Sequence, residues 1–537
     1  MDETNKNLLF DAQARNSLLS GVDILSDAVK MTMGPNGQNV VIERPGLPPV
    51  LTKDGVTVAR SINLKDQFEN LGVQIVKEAA SRTAEVAGDG TTTATVLTQT
   101  MIKQGLKLLA AGYSGSEIRK GMNYACEFVV GELKKISSPV TSDEEIINVG
   151  TISANGDRSV GNYLVQAMAA VGRDGVIAIE EAKGFETSLD VVDGLKLDRG
   201  YISPYFVTDS NKLVCNLDNP AILIVNKVIS NINDILPILE KAHKEQKSLL
   251  IIADEVDGDA LKALVLNHIK GIVKVCVIRA PDFGEHRVES LNDLALLFNS
   301  KVITSAEDIS DAHNLGSCKK VEIYRNHSIF LGASPDKEEV HDRVEKIKEM
   351  QADPAISVQE SAFLSRRLAR LSGGVAVIRV GGSTELELRE KLDRVEDALH
   401  ATQAAVEEGI VPGGGAALVQ AASCLDSIKT GNNDFDAGIE VIRSACFTPL
   451  QQIVSNAGGS GEVVLNKVIE VSPNVGYDAR NEEYVDMFKS GIIDPLKVVR
   501  TALEHANSAA CNLISVGCAI VEDSSVAEEK LSTIISK

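Results

Sequence analysis

A chain of 537 residues is too long for a single hydrophobic core and should divide into two or three domains. Lys and Arg total 54 against 75 Asp and Glu, a net charge of -21, which argues against a nucleic-acid or anionic-membrane partner and makes any phosphate site a local one. No apolar run reaches membrane-spanning length, and the eight cysteines form no CxxC pair, so buried thiols in a reducing cytoplasm are expected in place of disulfides or zinc ligands.

Residues 1–135 have a largely helical texture, beginning with a polar, acidic "MDETNKNLLF" that carries no signal-peptide core. In "VKMTMGPNGQNVVIERPG", Gly34, Pro35 and Gly37 form a loop that could bring backbone amides near phosphates, although no Walker A pattern occurs anywhere in the chain. "LTKDGVTVA" sets Asp54 on a D-G turn between strand-like runs, where most aspartates only make the turn. The amphipathic run of Phe68, Leu71, Ile75 and Ala79 then leads into "EVAGDGTTTATVLTQT". Gly88 and Gly90 permit a tight turn and close approach of a ligand, Thr91 is the expected N-cap, and Ala94, Val96, Leu97, Met101, Leu106 and Leu109 repeat at helical spacing. A helix N-terminus suits phosphate, whereas Asp89 repels it unless a cation lies between them; phosphate with magnesium resolves the conflict, and an ordinary polar cap is the alternative.

The centre changes character. "AILIVNKVI", "SLLIIADEV" and "IVKVCVIRAP" are short β-branched runs separated by helical patterns at 231–246 and 258–270, the alternation of βαβ units on a parallel sheet. Leu236 and Leu239 share one face of the first helix. Leu261, Leu264, Val265 and Leu266 make the second wider in its apolar span than one stripe requires, which fits either a binding surface or burial on two sides. Gly194 and Gly373–Gly374, where the textures meet, are either hinges or glycines at strand ends. Beyond them, "KLDRVEDALHATQAAVEEG" is a helix with Leu392, Val395, Leu399, Thr402 and Val406 on its buried face; Asp397 points away from that face, as a solvated acid would. Gly413, Gly414 and Gly415 precede another helix, and helical texture continues to the end. The simplest architecture is a central α/β domain inserted into a helical one made by both chain ends.

Taken together, "TMGPNGQNV", "TKDGVTVAR", "AGDGTTTATVL", "VGTISAN", "DRGYISPYF", "GIVKVCVIRAPDFG", "RVEDALHATQAAVEEG" and "GGGAAL" resemble group I chaperonins of the bacterial GroEL type, in order and at family spacing from about residue 10 to about 520. The resemblance implies a multidomain α and α/β fold. Its parts are a helical equatorial domain (1–135 and 408–537), a hinge-like intermediate domain (136–192 and 376–407) and an α/β apical domain (193–375). It implies an ATP-driven folding chaperonin in seven-membered rings, double or single, that captures non-native polypeptides and closes with a GroES-type co-chaperonin lid. The alternatives are a paralogue acting as a holdase or signalling oligomer, and a small-molecule ATP-dependent enzyme.

By that resemblance Asp89 would hold magnesium while Gly90, Thr91, Thr92 and Thr93 contact ATP phosphates, and Thr32, Met33, Gly34 and Pro35 would line the nucleotide. Thr32, Lys53 and Thr92 would help hold potassium; Gly414, Asp478, Ala479, Arg480 and Asp494 would form the ribose and base side. Asp397 would position the attacking water with help from Asp54. The polypeptide surface would comprise Tyr201, Ser203, Tyr205, Phe206, Leu236, Leu239, Leu261, Val265 and Leu266, and Arg199 with Glu385 would pair neighbouring subunits. Four features depart from the family: a C-terminal "VEDSSVAEEKLSTIISK" without Gly-Gly-Met repeats, Asp478 and Arg480 in the base segment, Gln451 at the ring-to-ring contact, and a shortened "DISDAHNLGSCKK". An arginine at 480 would stack on adenine or crowd it.

Overall fold

The computed structural model describes residues 6–522 except 45, 173–175, 183, 211, 305–314, 334, 352–356 and 373. Gly373, most of the shortened "DISDAHNLGSCKK" segment and nearly all of the C-terminal tail therefore lie outside the described residues. Two compact units result, one from Met1–Val165 with Gly381–Lys537 and one from Gln166–Val380, so the central segment is inserted into a unit made by both ends.

In chain order the first stretch contains β1 (Lys6–Phe10), α1 (Asp11–Val29), the hairpin β2 (Val40–Arg44) and β3 (Leu47–Thr52), α2 (Gly55–Ser61), α3 (Gln67–Ala87), α4 (Thr91–Ala110), α5 (Gly115–Ile136), α6 (Asp143–Ser153) and α7 (Arg158–Val171). The strand-like "VTVAR" is helical: Asp54 caps α2 by accepting from the backbone N–H groups of Val56 at 3.0 Å and Thr57 at 2.8 Å, and this local bond outweighs the β-branched composition. A capping box of Ser142 and Glu145 starts α6.

The inserted unit contains β4 (Val176–Glu181), β5 (Ser188–Leu197), β6 (Cys215–Asp218), β7 (Ala221–Ile229), α8 (Leu236–Lys244), β8 (Leu249–Val256), α9 (Gly258–Ile269), β9 (Val275–Arg279), α10 (Gly284–Leu297), β10 (Val302–Ile303), β11 (Gly316–Ser317), β12 (Lys320–Ile323), β13 (Ser328–Leu331), α11 (Lys337–Gln351), α12 (Val358–Ser372) and β14 (Gly374–Val380). As expected, β7, β8 and β9 are parallel neighbours, and Ile222 to Val225, Leu249 to Ile252 and Val275 to Ile278 are fully buried, because helices cover such a sheet on its faces. A second sheet of six strands, ordered β4-β14-β5-β13-β12-β6, draws on segments far apart in sequence. Gly194 lies inside β5, opposite Leu331; a Cβ there would meet the Phe330 carbonyl at 2.4 Å, so close strand packing accounts for this glycine without a hinge.

The chain then returns to the first unit through α13 (Glu385–Glu408), β15 (Ile410–Pro412), α14 (Ala416–Ser423), α15 (Asn433–Asn456), α16 (Gly461–Glu470), the hairpin β16 (Val475–Asp478) and β17 (Glu483–Asp486), β18 (Ile493–Pro495), α17 (Leu496–Ile514) and β19 (Cys518–Glu522). One apolar cluster, with Leu97, Met101, Ile118, Val129, Ile442 and Leu503 all inaccessible, joins helices from both halves, and β19 pairs antiparallel with β1. Burial raises the thiol of Cys126 in this core to about 12, as expected of an inert cysteine.

Candidate nucleotide site

The turn between α3 and α4 is built from two left-handed glycines, Gly88 at φ 73° and Gly90 at φ 86°. Neither tolerates a side chain. A Cβ on Gly88 would stand 2.1 Å from Cβ of His400 on α13, and one on Gly90 would stand 2.7 Å from Val498 of α17. Ala87, Ala404 and Val498 bury one another beside it, so small residues let α13 and α17 close directly onto the turn. Gly90, and not Thr91, is the N-cap of α4: with the chain already turned at Gly90, Thr91 is the first helical residue, and among the described residues no side chain caps this end. The N–H groups of the first turn therefore have no side-chain acceptor from this cap, the kind of helix end at which anions are favoured.

Carboxylates gather round that helix end. Asp89 accepts from the Gly90 N–H at 2.5 Å and from the Ser153 hydroxyl at 2.6 Å, which fixes its orientation. A Cβ on Gly55 would fall 2.3 Å from Oγ1 of Thr92, so α2, with Asp54 and Lys53 before it, abuts the start of α4. Asp397 does point away from the buried Val395 and Leu399, but its carboxyl does not lie in open solvent. Burial, then the charges of Asp89 and Asp54, with smaller contributions from Glu396 and Asp393, push it well above the usual carboxylate range.

The remaining candidates line the same unit. Thr32 donates to the Val29 carbonyl at 2.8 Å, and the side chain of Asn456 donates to the carbonyls of Lys30 and Met33 at 2.9 Å each, holding the 32–35 loop against α15. Gly413 and Gly414 precede α14; the Gly414 N–H bonds the carboxyl of Asp494, which burial, followed by repulsion from Asp89, raises to about 7. Asp478 accepts from the backbone N–H groups of Arg480 and Asn481 at 2.9 and 3.2 Å, shaping a turn in which Ala479 is buried. Ser153 and Asn456 were not singled out in sequence. Ser153 stands within the "VGTISAN" motif; Asn456 carries no comparable signal.

The candidate polypeptide surface on the inserted unit is only partly a surface. Tyr205, Leu236 and Leu266 are 65%, 43% and 53% exposed, and Tyr201, Leu261 and Val265 are half-buried against the core. Phe206 and Leu239 are core residues, and Ser203 is buried too. Phe206 turns inward because its short 3-10 turn places it edge-on to His268 of α9, while Leu239 lies beside the buried Ile238 and Ala242 of α8. The wide apolar span of α9 resolves similarly: Ala260 and Leu264 face the core, whereas Leu266 and Ile269 face out. Arg199 lies over the Phe283 ring, and Glu385 pairs with Arg389 at 2.6 Å.

A helical unit closed by both chain ends and an inserted α/β unit, with a glycine-built turn at an uncapped helix N-terminus, define a multidomain chaperonin fold. The chain belongs to the TCP-1/cpn60 chaperonin family, whose pattern it matches over residues 25–524. In structure it is similar to the chaperonin gp146 from bacteriophage EL 2 (Pseudomonas aeruginosa), solved in presence of ATP-BeFx. Crystal form II gives a TM-score of 0.67 and form I 0.62, each at 24% identity and covering 96% of this chain and 99% of that one. Among the described residues no helix is long and apolar enough to cross a membrane.

Proposed function

We propose that this chaperonin folds proteins in a cycle driven by ATP hydrolysis at the α3–α4 turn. The observation that carries the reading is the convergence of Asp54, Asp89 and Asp397 on an uncapped helix N-terminus. Three carboxylates have little structural reason to meet there, since the charges of Asp89 and Asp54 raise the cost of ionising Asp397.

Gly90, Thr91, Thr92 and Thr93 would receive the phosphates, with Thr32, Met33, Gly34 and Pro35 along one side and Gly414, Asp478, Ala479, Arg480 and Asp494 around the ribose and base. Asp89 fits magnesium as a single protein carboxylate, because it keeps acceptor capacity beyond its two hydrogen bonds. That is the arrangement for an ion shared between one carboxylate and substrate phosphates, whose charge it would neutralise. Potassium would sit by Thr32, Lys53 and Thr92. Asp397 would position the attacking water, and Asp54, already fixed by its capping bonds, would help orient that water.

The exposed Tyr205, Leu236 and Leu266 would capture non-native chains, several weak apolar contacts around a ring adding to strong retention. The division into equatorial, intermediate and apical domains, the seven-membered ring and the co-chaperonin lid belong to the same proposal. The test is ATP hydrolysis with and without potassium, alongside Asp397→Ala. Potassium-dependent turnover that collapses in the variant while nucleotide still binds is expected. An assembled wild-type protein without turnover would overturn the reading in favour of a holdase.

A further inference from the structure

Arg480 occupies an unusual place. Its hairpin turn is set by Asp478, which accepts the Arg480 N–H at 2.9 Å and is further bonded to the Asn481 side-chain amide at 2.8 Å. The side chain reaches from there to the turn that ends α6. A Cβ on Gly156 would stand 2.5 Å from Nη2 and 3.0 Å from Nη1, so the guanidinium lies on the bare Gly156 backbone. Gly156 is left-handed, at φ 91°, and its N–H returns to the Thr151 carbonyl at 2.7 Å, closing the C-terminal turn of the helix.

Among the described residues no carboxylate pairs with Arg480. The nearby Asp157 is engaged by Ser159, through the backbone N–H at 3.0 Å and the hydroxyl at 2.6 Å. What the guanidinium meets is the negative end of the α6 dipole, where a cation is stabilising. Three residues before Gly156, on the same helix end, Ser153 donates to Asp89. One short helix terminus thus touches the phosphate side of the site through Ser153 and the base side through Arg480.

We propose that Arg480 is a positioning residue that latches the end of α6 across the nucleotide cleft, so that the base-side hairpin and the Asp89 side close as one. The proposal rests on the nucleotide reading above. It assigns Arg480 to the protein's own closure, not to stacking on adenine. Gly156 leaves room for the guanidinium, and at φ 91° a side chain there would also strain the backbone that closes the helix.

The test is steady-state ATP hydrolysis by the full chain and by Arg480→Ala, Arg480→Lys, Gly156→Ala and the Arg480→Ala/Gly156→Ala pair. Loss of a cation from a helix C-terminus corresponds to about a two- to fivefold rise in KM for ATP, with a smaller change in kcat. Lysine should restore part of the loss, and the double variant should be no worse than the poorer single one. Thermal midpoints of the nucleotide-free proteins should separate this from a merely structural role, since one helix-end cation contributes at most about 1 kcal/mol and Arg480→Ala should shift the midpoint only slightly. Wild-type KM in Arg480→Ala would overturn the latch alone. Absence of ATP turnover in the wild-type protein would overturn the nucleotide reading and the latch with it.

Discussion

Asp54 caps α2 and, in the proposed cycle, helps orient the attacking water, and one substitution can separate the two. Asparagine caps a helix about as well as aspartate, whereas alanine forfeits about 1 kcal/mol. Asp54→Asn should therefore keep the thermal midpoint and lose ATP turnover; a fall in stability equal to that of Asp54→Ala would show that its charge serves the fold. His268 offers a test away from the site. Burial, helped by Lys274, lowers its affinity for protons, and its Nδ1 accepts the Val275 N–H at 3.2 Å, so the folded state holds the neutral ring. As pH falls below the ordinary histidine value near 6.5, the unfolded chain takes up a proton that the folded one refuses, and stability declines. Urea unfolding at pH 7.5 and 5.5 should show a loss for the wild-type protein that His268→Gln reduces.

At the scale of elements, burial divides the candidate polypeptide surface into residues that bind and residues that hold. Leu236, at 43% exposure, should tolerate glutamate structurally, so Leu236→Glu should abolish capture of an unfolded protein and spare ATP hydrolysis. Leu239, at 5%, should instead lose about 2–5 kcal/mol on truncation to alanine, read as earlier unfolding of the inserted unit. Wild-type capture by Leu236→Glu would remove α8 from the binding surface. Sequence alone could not make this division, because Leu236 and Leu239 are three residues apart and look alike on a helical wheel. The parallel strands were legible, since each is an unbroken β-branched run. The six-stranded sheet was not, because β4, β14 and β13 come from remote segments and only tertiary pairing relates them. The capping role of Asp54 was hidden by a Val-Thr-Val run that favours strand. For Asp397 the outward direction could be read from helical spacing, but the acids it faces belong to α2 and to the α3–α4 turn, which periodicity along one helix cannot see.

At the scale of the whole molecule, the strands and faces left open on the single chain bear on assembly. Leu8 and Phe10 of β1 are 46% and 58% exposed, as is Ile520 of β19 at 54%, and β2 exposes Val41; isolated two-stranded ribbons with this much apolar surface gain from further pairing. Gln451 donates to Glu462 of α16 at 3.1 Å within the same chain, so the residue at the expected ring-to-ring contact is neutral and already bonded, and its acidic neighbour is occupied. Such a contact supplies less charge attraction between rings than an arginine–carboxylate pair would. If the exposed apolar strands form the proposed subunit contacts, a seven-membered ring should be stable across salt concentrations, with ring pairing that weakens independently of ring integrity. Native mass measurement at several salt concentrations, with and without ATP, reads both levels at once. Seven-subunit species that persist while fourteen-subunit species vary would fit this division of labour. A monomer stable under every condition would show that the open edges are not assembly surfaces, and would sink the ring on which cooperative capture depends.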